Sequence, residues 1–260
     1  MRKALIAVVV GVGMAACLTA SAASITVVDV TSAGASGNGQ NVNGADFNYA
    51  NPQPTGTGFI DPFLREQNTG SEIGVNTSIK GQVVQNTILY DNKDPVNYTH
   101  DLLASTVGTV NNGKDWRFFL DANQVGNGPI SLTTFKIFLS ATAFTDATAL
   151  GNFLSSATPV FNMNGGNKTY RVDIASDNGS GSGDMYVDVP VATGGAYLYL
   201  VAGFGVDSAG NGFASNDGFE EWWTRTSTPP PPGAPDSASA LGLLGLALTG
   251  IEVFRRKLRA

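Results

Sequence analysis

Tyr197-Leu198-Tyr199-Leu200-Val201-Ala202-Gly203-Phe204 is the stretch that decides the fold. It is apolar in both phases of a two-residue period, broken only by Gly203. A strand with one wet face alternates polar and apolar side chains; one covered on both faces reads as a continuous apolar run. The run therefore predicts a central strand with packing on either side.

The neighbouring patterns are half-buried strands. Phe135, Ile137 and Leu139 alternate with Lys136, Phe138 and Ser140. Tyr170, Val172 and Ile174 alternate with Arg171 and Asp173, and Met185, Val187 and Val189 with Tyr186 and Asp188. Such alternation gives one buried and one wet face. Residues 83–89 and 116–121 are further strand candidates, and only 146–155 hints at a short helix. Residues 31–58, rich in Gly, Asn, Ser, Ala and Gln, read as a long loop or a floppy strand edge. Asn/Gly/Ser clusters such as Asp177-Asn178-Gly179-Ser180-Gly181-Ser182-Gly183-Asp184 separate the strands. Short strands punctuated in this way predict an all-β chain, an antiparallel β-sandwich of jelly-roll-like form with long Gly/Asn-rich loops, over residues 23–225.

Composition agrees with an exterior protein. The 260 residues include 32 glycines, and only 14% are charged. Between Ser24 and Gly233 there are nine Lys and Arg against 19 Asp and Glu, a balance of −10. An acidic surface without a basic stripe argues against nucleic acid as a partner.

The N-terminus reads as a secretory signal peptide, residues 1–22: Arg2 and Lys3, an apolar stretch 4–16, and the small-x-small site Ala20-Ser21-Ala22. Cys17, the one cysteine, lies inside it, as a residue removed with the signal or as a lipidated one. Removal leaves a body that cannot form disulfides and must rely on packing or bound ions. Gly11-Val12-Gly13-Met14-Ala15-Ala16 imitates a dinucleotide fingerprint, but no crossover helix or repeated strand-helix unit follows it.

The C-terminus has its own grammar. A Pro-rich linker, 226–233, is followed by Ala234-Pro235-Asp236-Ser237-Ala238, an apolar segment 238–254 with Glu252 its only charge, and Arg255, Arg256, Lys257 and Arg259. As a helix, 17 residues cover roughly 25 Å, just short of a hydrocarbon core of about 30 Å. Basic residues behind such a segment hold its end in the cytoplasm. The order of Pro-acidic-Ser motif, transmembrane helix and basic stop resembles the PEP-CTERM bacterial sorting tails, most closely the variant reading Val-Pro-Asp-Ser-Gly. Ala234 and Ala238 depart from that variant. The resemblance implies that Pro235, Asp236 and Ser237 are recognised by an exosortase, a membrane-embedded cysteine transpeptidase. It further implies export through the inner membrane to the cell envelope, surface or exterior, in a bacterium that makes exopolysaccharide. In the body, phrases such as Phe59-Ile60-Asp61-Pro62-Phe63-Leu64-Arg65 and Ser215-Asn216-Asp217-Gly218-Phe219-Glu220-Glu221-Trp222 resemble a group of exported bacterial proteins with such tails, which carries over no activity.

Little catalytic chemistry is on offer. His100-Asp101 includes the chain's one histidine, and no G-x-S-x-G elbow accompanies it. One imidazole does not build a histidine-based zinc site. Asp217, Glu220 and Glu221 beside Trp222 and Trp223 form the best sugar-binding or glycosidase-like group; a core or sheet-edge strand explains the same residues, with Glu220 and Trp222 on one face and Glu221 and Trp223 on the other. Asp177/Asp184, Asp207/Asn211 and Asp121/Asn123 offer hard oxygen ligands for calcium without EF-hand spacing; tight turns use the same residues. The expectation is a non-catalytic surface or matrix protein without a resident cofactor, with extracellular carbohydrate binding as the alternative.

Overall fold

A computed structural model describes residues 24–50, 60–126, 128–176 and 183–225. The expected signal peptide, linker and sorting tail, with Asp177, lie outside the described residues. Among the described residues no helix is long and apolar enough to cross a membrane.

The described chain is predominantly β. One sheet runs, edge to edge, through the strands Ile25–Val30, Thr169–Ile174, Ile130–Ser140, Tyr197–Gly205, Thr69–Val75 and Ser215–Asn216. The other runs through Gln40–Val42, Ala45–Tyr49, Met185–Pro190, Asp115–Ala122, Glu220–Trp223 and Pro62–Glu66. Pairing in both is antiparallel with one exception: Ile25–Val30 lies parallel to Thr169–Ile174. The two sheets face each other across one apolar core. Phe135 of the first sheet meets Phe47, Phe118 and Trp222 of the second, with ring centroids 5.9, 6.2 and 5.1 Å apart.

Tyr197–Gly205 is covered on both faces. Leu198, Leu200, Ala202 and Phe204 enter the inter-sheet core. Tyr199 and Val201 point the other way into a second cluster with Phe138, Leu150 and Leu154. That outer cover includes the helix Ala147–Ser156, started by Asp146, whose Oδ1 accepts from the Ala149 amide at 2.8 Å.

Two expectations are sharpened or corrected. Of the alternatives for residues 31–58, a strand edge holds over part of the described stretch, where Gln40–Val42 and Ala45–Tyr49 form a hairpin at one sheet edge. Its turn is Asn43-Gly44, both at positive φ, the pairing that two-residue hairpin turns favour. Residues 83–89 are not one strand: Val84–Gln85 folds back on Ile88–Leu89, with Asn86 at φ 57°.

Candidate functional site

The Glu220–Trp223 strand lies in the second sheet between Asp115–Ala122 and Pro62–Glu66. Alternation divides it as the sequence indicates. Trp222 is fully buried between the sheets, its ring 6.3 Å from that of Phe204. Trp223 stacks on Phe119 at 4.3 Å and 14° and is 7% exposed. Glu220 and Glu221 are 0% and 2% exposed. Asp217 stays exposed in the preceding turn, at φ 75°. The expected sugar contact through Glu220, Glu221, Trp222 and Trp223 is therefore corrected: these four side chains are buried, and of the group only Asp217 is exposed.

What the strand builds instead is a buried acidic cluster. Glu220 pairs in register with Glu66 on the edge strand of the same sheet. The chain then turns into the other sheet, where Glu72 sits on Thr69–Val75. Glu66, Glu72 and Glu220 are 0%, 4% and 0% exposed. Glu220 Oε1 accepts from Gln124 Nε2, and Gln124 Oε1 in turn accepts from the Asn216 amide at 3.0 Å. Glu72 Oε2 accepts from the Asn68 amide at 2.7 Å. The Glu72 and Glu220 carboxyls lie within hydrogen-bonding reach of each other. Each retains one oxygen, Oε1 of Glu72 and Oε2 of Glu220, with no other partner. Glu66 faces the Trp222 indole and the Gly74 backbone without completing a bond of ordinary geometry through either oxygen, and the indole Nε1 is likewise unpaired. Space is tight: a Cβ on Gly74 would stand 2.7 Å from Glu66 Oε2.

The electrostatics follow from this burial. Loss of solvent is the largest cause that raises all three carboxyls above the ordinary glutamate value. For Glu66, the charges of Glu72 and Asp91 add to it; for Glu220, the contact with Glu72 and then the charges of Glu72 and Glu66 do so. Arg65, the one cation on these strands, points to the opposite face. There it pairs with Glu221 at 3.1 Å and with Asp94 at 2.9 Å, over the ring of Phe219 at 3.6 Å. Burial raises the Glu221 carboxyl and Arg65 opposes that rise.

The calcium candidates are otherwise engaged. Asp207 Oδ2 accepts from Arg171 Nη1 at 2.8 Å, and its Oδ1 from the Ala209 and Asn211 amides at 2.9 and 3.0 Å. The expected Asp207/Asn211 site is corrected to an arginine-neutralised loop. Asp184 is buried and accepts from the Ala122 amide at 2.7 Å; Asn123 donates to the Phe219 carbonyl at 3.1 Å. Among the described residues no group of three or more His, Cys, Asp or Glu is arranged to hold a metal ion. His100 Nδ1 contacts the Asp101 carbonyl at 2.9 Å, Tyr199 donates to the Asp101 carboxylate at 3.1 Å, and the Asp101 backbone amide donates to Ser78 Oγ at 3.0 Å.

Sequence reasoning named Glu220 and missed Glu66 and Glu72. The available signal was phase: Leu64 and Glu66 share a face, as do Glu220 and Trp222, so both acids follow a buried residue inward. Glu72 also borders an open depression of about 480 Å³ that includes Asn68, Ser71, Asp91 and Thr133. No protein-family model, curated protein or solved structure matches the chain.

Proposed function

We propose that this is an exported, non-catalytic protein of the cell surface or extracellular matrix, sorted and processed by an exosortase in an exopolysaccharide-producing bacterium. The observation that carries the reading is the order of Pro235-Asp236-Ser237, the apolar segment 238–254 and the basic residues Arg255, Arg256, Lys257 and Arg259. The body supports it in kind: an acidic, cysteine-free, predominantly β domain, read as jelly-roll-like because strands alternate between two sheets, suits an exterior setting. In this reading the membrane helix serves only until processing, and the body then acts outside as a passive component. Intact mass spectrometry of the exported protein tests it. The expected mature form lacks the basic end, and the combined change Asp236→Ala and Ser237→Ala leaves the tail attached. A wild-type exported form that keeps residues 255–260 eliminates the proposal.

Extracellular carbohydrate binding is the second reading. What favours it is the depression beside Glu72, where polar Asn68, Ser71, Asp91 and Thr133 meet apolar Ile88 and Leu89. A glycan array with the full exported chain separates the two; saturable binding that Ser71→Trp abolishes supports the second reading, and no binding to any glycan removes it.

A further inference from the structure

The buried glutamates stand in an unusual relation to the rest of the molecule. Three carboxyl groups from two sheets converge where no cation among the described residues is paired with them, at the junction of the last described strand with the edge strand and the opposite sheet. Two facing carboxylates cannot hydrogen-bond, since both only accept. One proton between them converts two unpaired oxygens into a donor-acceptor pair. The oxygens without another partner are one from each of the two facing groups, Glu72 Oε1 and Glu220 Oε2. The Trp222 indole N–H, fully buried, faces Glu66 and works against the burial that raises that carboxyl, so the shared proton is assigned to the facing Glu72 and Glu220 pair.

We propose that Glu72 and Glu220 share a proton and, with Glu66, form a proton-binding latch that closes the two sheets at this end of the molecule and opens as the surroundings become alkaline. The ligand is the proton. Every element packed on the cluster contributes to its setting. Asp91 faces it from the loop beside Thr69–Val75, its carboxylate held by the Asn68 side chain at 3.0 Å and the Ile73 amide at 3.1 Å. Gln124 faces it from the end of Asp115–Ala122, and Ser215 from the short edge strand. On the far side of the strands Arg65 pairs with both Glu221 and Asp94, and the buried Asp121 lies in register with Glu221. Removing protons from the latch therefore leaves buried negative charges that repel, with no counterion to receive them.

The sign follows from proton counts. A carboxyl raised in the folded state holds its proton at pH values where the unfolded chain, with glutamates near 4.3, has lost it. Stability is then greatest below that value and declines as pH rises towards the folded-state values. Each proton released costs about a tenfold fall in the folded-to-unfolded ratio per pH unit across that window.

The test is urea unfolding of the full exported chain from pH 5 to 10, followed by tryptophan fluorescence, for the wild type and Glu72→Gln/Glu220→Gln. The amide pair keeps a donor and an acceptor and removes the titration of the facing pair, leaving that of Glu66. The expected wild-type midpoint falls as pH rises, and the variant's falls less, so that the two curves separate at the alkaline end. Equal slopes, or a wild-type midpoint that does not fall, overturn the latch. Should the double variant not fold, wild-type refolding in weakly buffered solution at pH 7 decides the matter. Net proton uptake supports the proposal, and release or no exchange refutes it. Calcium added at pH 9 distinguishes the ligands: restoration of the midpoint by calcium alone shows a cation site and overturns the proton reading.

Discussion

Asp207 and Glu72 belong to neighbouring segments of one sheet, the first just beyond Tyr197–Gly205 and the second on the strand paired with it. Their surroundings differ in the number of donors. The Asp207 carboxylate receives two backbone amides and the Arg171 guanidinium, which also holds Asp173; these bonds, the Asn211 amide foremost, draw its pKa below the usual carboxylate value. Glu72 receives one backbone amide, is faced by the Ser215 side chain and otherwise meets Glu220, and burial pushes it the other way. The contrast shows that an acid's charge in this fold is set by depth and by the donors that come with it: burial leads for Glu72, the Asn211 amide for Asp207. It also gives the two corners opposite pH dependence: one favours the fold when charged, the other when neutral.

The largest effect in breaking this contrast comes from the partition between the acidic corner and the apolar centre. Trp222 is that partition, with Phe135 and Phe204 on one side and Glu66 on the other. Trp222→Ala is expected to lose about 3–5 kcal/mol of unfolding free energy, as for large aromatic truncations in cores. Urea titration at pH 6 checks the magnitude. A loss under about 1 kcal/mol would show that the ring is not the partition.

A smaller change sharpens the contrast by crowding rather than emptying. Gly74→Ala brings a Cβ to 2.7 Å from Glu66 Oε2 and 2.9 Å from Leu64 Cδ1. The expected cost is about 1–3 kcal/mol, the usual range for overpacking. Glu66→Ala in the same chain removes the contact with Oε2 and leaves that with Leu64 Cδ1, so thermal unfolding of the pair should show a coupling that recovers part of the loss. Strict additivity would mean that the backbone moves instead.

The legible part of this molecule was its periodicity. The run from Tyr197 to Phe204 announced packing on both sides, and Tyr199 with Val201 found it beneath the helix begun by Asp146. The Asn43-Gly44 hairpin was hidden because its strands, Gln40–Val42 and Ala45–Tyr49, are too short for alternation to stand out from Asn- and Gly-rich surroundings. The split at Asn86 carried a signal, the polar Gln85-Asn86-Thr87 between apolar pairs with an Asn that tolerates the left-handed region, but the flanking Val and Ile read as one strand. Parallel pairing of the first strand with Thr169–Ile174 is a long-range choice that no local pattern encodes. The candidate site was half visible. Glu220 stood beside a tryptophan and drew a functional reading, but its partners lie on two distant strands, and a lone glutamate after an apolar residue does not reveal which sheet it will face. The same neighbouring aromatics that suggested a sugar platform are what bury it.

The smallest expected effect concerns the charged corner and isolates the sign of the comparison. Asp207 is depressed in the folded state, so the stability it contributes is present above the unfolded aspartate value near 3.9 and is lost as pH falls through the folded one. Asp207→Asn removes that contribution. The variant should be less stable than the wild type at pH 6, and the gap should close as the medium is acidified below about pH 4. Above pH 7 its decline should parallel the wild type's, because the latch is intact and the two corners share no hydrogen-bond partner among the described residues. Glu72→Gln/Glu220→Gln should show the converse, an unchanged acid limb and a flattened alkaline one. Urea midpoints of both variants between pH 3 and 10 provide the check. If Asp207→Asn altered the alkaline limb instead, the corners would be coupled through the sheet, and donor count around each acid would no longer explain the difference between them.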